Sequence, residues 1–154
     1  METAVPTVEV NSETRAEALG VLAHADMTAL SAAWETWQNR PQVEMIRGPE
    51  TGLIMLRGRT GGGGAPFNLG EATVSRASVR IDTGEVGHGY CLGRDTEKAR
   101  LIAIIDALFQ REPGHIDFAI LRPLRDRAYA EDRQRREETA ATKVDFFTMV
   151  RGED

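Results

Sequence analysis

Residues 72–111 read ATVSRASVRIDTGEVGHGYCLGRDTEKARLIAIIDALFQR, and this stretch decides the fold class. Residues 72–81 predict a long strand. Its inward set changes parity between Val74 and Ala77, which points to a bulge or a change of face. Asp82-Thr83-Gly84-Glu85 is a hairpin turn, and residues 86–92 return as a strand broken by Gly87 and Gly89. The period then changes from two to 3.6. Asp95 or Thr96 caps a helix through about Arg111, with Ala99, Ile102, Ile105, Leu108 and Phe109 as its buried face. Asp106 and Glu112 read as carboxylates on that helix's surface. A hairpin leading into a helix with an apolar face to bury predicts an α+β domain.

Upstream, residues 43–47 and 53–57 read as two more strands, with Gly48-Pro49-Glu50-Thr51-Gly52 as the turn between them. A glycine loop then spans residues 58–70. Before these strands come two helical patterns. The first starts near Ser12, with Thr14 and Glu17 as a capping box and Ala18, Leu19, Leu22 and Ala23 on one face. The second follows Asp26 as N-cap, carries Leu30, Ala33, Trp34 and Trp37 as its stripe, and stops before Pro41. Together they predict an N-terminal helical hairpin, and residues 1–11 form a loose lead-in. Downstream, Pro113-Gly114 ends the central helix. A further helical stretch follows, broken or kinked at Pro123 and highly charged over residues 125–138. Residues 144–150 are strand-like and apolar on both faces. The expected architecture is one domain over residues 1–154. It is a mainly antiparallel sheet of about four to five strands, with the helical hairpin before it and helices after it.

A chain of 154 residues builds its own core without disulfides or metals. The formal charge of −5 argues against nucleic-acid or acidic-membrane binding by the chain as a whole. Any anion must therefore meet a local arginine cluster. The one cysteine, Cys91, excludes an internal disulfide and any multi-cysteine metal motif, and it suits a reducing, cytoplasmic setting. Residues 1–11 lack the pattern of a signal peptide, and the longest apolar runs fall short of a membrane span.

Several residues are candidates for chemistry. Arg57, Arg59, Gly61, Gly62, Gly63, Gly64 and Asn68 combine bare backbone amides with positive charge, as phosphate recognition requires. The loop fits neither the P-loop nor the dinucleotide pattern. A loop that orders against a partner, or a tight structural turn, is the plainer reading. His88 lies between Gly87 and Gly89, which would let a ligand or another backbone approach, so it is either an acid–base group or a hydrogen-bonded strand histidine. No histidines are spaced as metal ligands. Arg76 and Arg80 share a sheet face and read as outward charges. Phe146, Phe147, Met149 and Val150 in the tail need a cover, either from this domain or from another chain.

The block Pro49-Glu50-Thr51-Gly52-Leu53-Ile54-Met55, residues 61–71, Gly87-His88-Gly89-Tyr90 with Gly93-Arg94-Asp95, and the ending Val144-Asp145-Phe146-Phe147-Thr148-Met149-Val150-Arg151-Gly152 carry a resemblance. They resemble the G subunit of bacterial carbon–phosphorus lyase from about Arg15 to Glu153. That resemblance implies a core complex with H, I and J subunits, the I subunit being the closest partner. It also implies a first reaction in which a phosphonate displaces adenine from ATP (with Mg), giving alpha-D-ribose 1-methylphosphonate 5-triphosphate. The G subunit is then accessory rather than itself catalytic, with no cofactor of its own. The alternative is that its loop contributes to a shared active site. The later C–P cleavage belongs to the J subunit and its cluster, which a chain with Cys91 alone cannot hold.

Overall fold

The structure, a computed structural model, describes residues 7–61 and 63–141. Helix α1 spans Ser12–His24 and α2 spans Met27–Glu35. Strands β1 (Val43–Arg59), β2 (Pro66–Ile81) and β3 (Val86–Leu92) form an antiparallel sheet in sequential order. Helix α3 (Thr96–Arg111) follows. A short α4 (Pro113–Ile116) then passes through a π-turn (Asp117–Leu121) into α5 (Arg122–Ala141). The expected strand at residues 144–150, with Phe146, Phe147, Met149 and Val150, lies outside the described residues, as does Gly62.

The described sheet has three strands rather than four or five. Residues 43–47 and 53–57 are the two ends of one strand. The turn expected between them is absorbed as a bulge. Arg47 faces Ser78 and Glu50 faces Arg76, so β1 carries one extra residue there. Gly48 makes this possible: its φ is +66°, and a Cβ would sit 2.8 Å from the Arg76 carbonyl oxygen. Glu50 then ties the bulge down, accepting from Arg47 Nε and Arg76 Nε at 2.8 Å each. Local turn chemistry loses because β2 is long enough to pair on both sides of it. The irregularity expected on β2 is on its partner: β2 runs evenly from Val74 to Arg80 against β3.

The N-terminal helices are where they are expected, but they are capped and packed differently. Asn11, not Thr14, is the N-cap of α1. Its Oδ1 accepts from the Glu13 and Thr14 amides at 2.9 Å, and Thr14 Oγ1 accepts from the Asn11 amide. Asp26 caps α2 as read. Ala25 and Asp26 turn the chain so that α1 lies on α3 and β3, while α2 packs on the π-turn and α5. Both touch the π-turn and α5, but only α1 reaches α3 and β3, and the two pack on each other too little to make a hairpin. Trp37 falls just beyond α2, buried, with Nε1 donating to the Asn39 carbonyl.

Helix α3 is the centre of the molecule. Every residue from Leu101 to Phe109 is buried, not one stripe only, because the sheet covers one side and the other helices cover the rest. The sheet meets it with Ala77, Val79, Ile81 and Cys91. At Gly87 and Gly89 the contact is backbone to backbone. A Cβ on either would lie 1.9 Å from the Ala103 or Ala99 carbonyl oxygen. The close approach expected at these glycines is therefore made by α3. The helix continues through Pro123 because the π-turn precedes it, with the Arg122 amide donating to the Asp117 carbonyl. No described helix is long and apolar enough to cross a membrane.

Candidate functional site

Beyond Leu92, the last residue of β3, β1 and β2 continue as a two-stranded arm, from the Leu53–Thr73 pair to the Arg59–Pro66 pair. Side chains alternate along a strand, so Leu53 and Met55 project from one face and Ile54 and Leu56 from the other. All four are exposed, as are Phe67 and Leu69 on β2; Leu53 and Leu69 keep 63% and 66% of their surface in water. Together these six side chains expose about 500 Å² of mostly apolar surface, divided between the two faces of the ribbon.

At the end of the arm the register places Arg57 opposite Asn68 and Arg59 opposite Pro66. Arg59 Nη1 donates to the Gly64 carbonyl at 3.2 Å. The turn needs two of its glycines for geometric reasons. Gly61 has φ +63°, and a Cβ on Gly64 would lie 2.3 Å from the Thr60 carbonyl oxygen. Arg57 and Arg59 make no ion pair with any described residue, whereas Arg47, Arg76 and Arg80 at the base of the sheet are each paired with Glu50 or Glu44. Glu50 is held below the usual carboxylate range by its hydrogen bonds from Arg76 and Arg47. The tip is therefore a patch of uncompensated positive charge on an acidic chain.

The structure thus brings Arg57, Arg59 and Asn68 together with the described glycines. It leaves His88 elsewhere, roughly 35 Å away along the strands. His88 lies on the face of the sheet opposite α3, where Nδ1 contacts Ser78 Oγ at 2.9 Å. Arg76 and Arg80 share that open face as outward charges, as read.

Asp106 was missed as a surface residue. It is 2% exposed and accepts from Arg15 Nε at 2.8 Å, Arg15 Nη2 at 2.7 Å and the His88 amide at 2.8 Å. Its carboxylate raises the Arg15 pKa through the hydrogen bond, against the opposing effect of burial. The signal was present: Asp106 is the one charged residue in the apolar run from Leu101 to Phe109. Its work is structural, joining α1, α3 and β3. Among the described residues no group of His, Cys, Asp and Glu could hold a metal ion. Cys91 is buried, and burial pushes its thiol up, away from the reactive thiolate. The cleft between α1, α2 and α5 has room for about 100 Å³, and a more open groove between α1 and α5, lined by Glu17, Arg125, Tyr129 and Asp132, for about 650 Å³.

Comparison with known proteins bears on what such an arm is for. The sequence model described as "Phosphonate metabolism protein PhnG" matches residues 13–152. The alpha-D-ribose 1-methylphosphonate 5-triphosphate synthase subunit PhnG of Rhizobium meliloti (strain 1021) is 54% identical over 155 aligned residues. The match spans 100% of this chain and 99% of that protein.

Proposed function

The chain belongs to the PhnG family of phosphonate metabolism proteins, and from that premise we propose that it is an accessory subunit of alpha-D-ribose 1-methylphosphonate 5-triphosphate synthase. In this reading it forms a cytoplasmic core complex of carbon–phosphorus lyase with H, I and J subunits and lies closest to the I subunit. ATP, with Mg, and a phosphonate are substrates of the complex, and this chain holds no cofactor itself. The observation that carries the reading is the arm. Six large apolar side chains stand in water on both sides of a two-stranded ribbon, which is a surface to be buried in a partner rather than a site for chemistry. Residues 146–150 would add a second apolar contact. Adenine release from ATP and methylphosphonate, measured with H, I and J subunits, should require this chain. Release at the same rate without it would defeat the proposal.

A second reading is favoured by the tip alone. Arg57, Arg59 and Asn68, beside bare glycine amides, would reach into a partner's active site and hold phosphate or phosphonate oxygens. His88 has no part in that version. Arg59→Ala should then lower adenine release at least tenfold while the complex stays whole; unchanged turnover removes this role and leaves the docking role standing.

A further inference from the structure

The two edges of the sheet are treated in opposite ways. At β3 the outward-facing backbone is occupied by side chains. The His88 amide donates to Asp106, and the Val86 carbonyl accepts from Arg15 Nη2 at 3.3 Å and Gln110 Nε2 at 2.8 Å. At β1, and at β2 beyond the end of β3, nothing comparable exists among the described residues. Because the His88 amide points away from β2, alternation fixes the direction of every other backbone group in the regular part of the sheet. Gly52, Ile54 and Leu56 turn their amides and carbonyls toward β2. Thr51, Leu53 and Met55, opposite Ser75, Thr73 and Glu71, turn theirs outward. The bulge at Arg47–Glu50, with Pro49, interrupts the edge just before this stretch, but from Thr51 to Met55 itself no lysine, proline or covering helix protects it.

We propose that this edge is completed in the assembly by an extended strand from a different subunit, so that the sheet continues across the subunit boundary. The inference rests on the reading of the chain as an assembly subunit. The identity of the occupant follows from area and charge. A second copy paired edge to edge would satisfy the backbone, but its own arm is equally bare, so Leu53, Met55, Ile54 and Leu56 would stay wet on both faces. Covering about 500 Å² of such surface takes a partner that brings apolar walls beside its strand. The strand's surroundings near the tip carry carboxylates, because Arg57 and Arg59 have no described counter-charge of their own.

Hydrogen exchange tests this residue by residue. The complex co-expressed with H, I and J subunits is exchanged intact, dissociated under quench conditions and read by NMR against the isolated chain. The amides of Thr51, Leu53 and Met55 should slow at least tenfold on assembly, while those of Ile54 and Leu56, already bonded to β2, change far less. A complex that forms while Leu53 and Met55 still exchange freely overturns the strand pairing but leaves the assembly reading intact. Protection already present in a homodimer of the isolated chain makes the second copy the occupant and also overturns it. Failure to form any complex overturns both.

Discussion

Replacing Asp106 by alanine removes one carboxylate and strands three donors: two from Arg15 and the His88 amide. Breaking a buried charged pair from one side costs about 3 kcal/mol, and Arg15, with 29% of its side chain exposed, recovers some of this from water. Urea unfolding of Asp106→Ala should show that loss with an unchanged denaturant slope. Gly89→Ala fails for a different reason, since its Cβ would overlap the Ala99 carbonyl oxygen. Neither backbone can yield without moving α3 off the sheet, so a loss of about 2–3 kcal/mol is expected by the same measurement. Glu50 supplies a pH signature. Its pKa is lowered by folding, so its contribution is complete above the ordinary glutamate value near 4.3 and is lost as pH falls through the lower folded value. Its carboxyl carbon should titrate below that of a model glutamate, and Glu50→Gln should flatten the acid limb of the stability curve. A carboxyl titrating at the ordinary value would mean the bridge to Arg47 and Arg76 does not persist in solution. At this scale the glycines were legible, because a missing side chain already implies close approach. Asp106 was not, because its partners lie 91 and 18 residues away in the chain.

Strand β1 shows what local reading cannot decide. Pro49-Glu50-Thr51-Gly52 has the residues of a turn, and only pairing with β2 on both sides turns it into a bulge. The outer hairpin, β2 to β3, was legible because its turn and its pairing are local. The central helix was legible as a helix but not as a buried one, since the layer that covers its second side comes from α1 and α4. The arm itself was hidden, because a strand that is apolar on both faces normally predicts burial within its own domain. Leu53→Asp with Met55→Asp tests that distinction. If the arm packs on nothing in this chain, thermal and urea unfolding should move by no more than about 0.5 kcal/mol. A large loss would show that the arm belongs to the folding core.

Across the molecule the layers divide the labour. One face of the sheet, with α3 and the helices around it, supplies the stability. The other face is open and carries Arg76, Ser78, Arg80 and His88 beside the exposed Tyr90 and Leu92, and the arm leads away from both toward a cationic tip. The exposed arm, the bare edge and the tip arginines all call for something outside the chain. The Rhizobium meliloti relative is named as a synthase subunit, and under the proposed function a partner subunit would supply that cover. The claim that this chain works by inserting its arm into that assembly is tested most directly by native mass spectrometry of the complex co-expressed with H, I and J subunits. The wild-type chain should appear in the complex. The folded Leu53→Asp, Met55→Asp variant should be missing from it. A wild-type chain found only free, or a variant incorporated as fully as the wild type, would contradict the account.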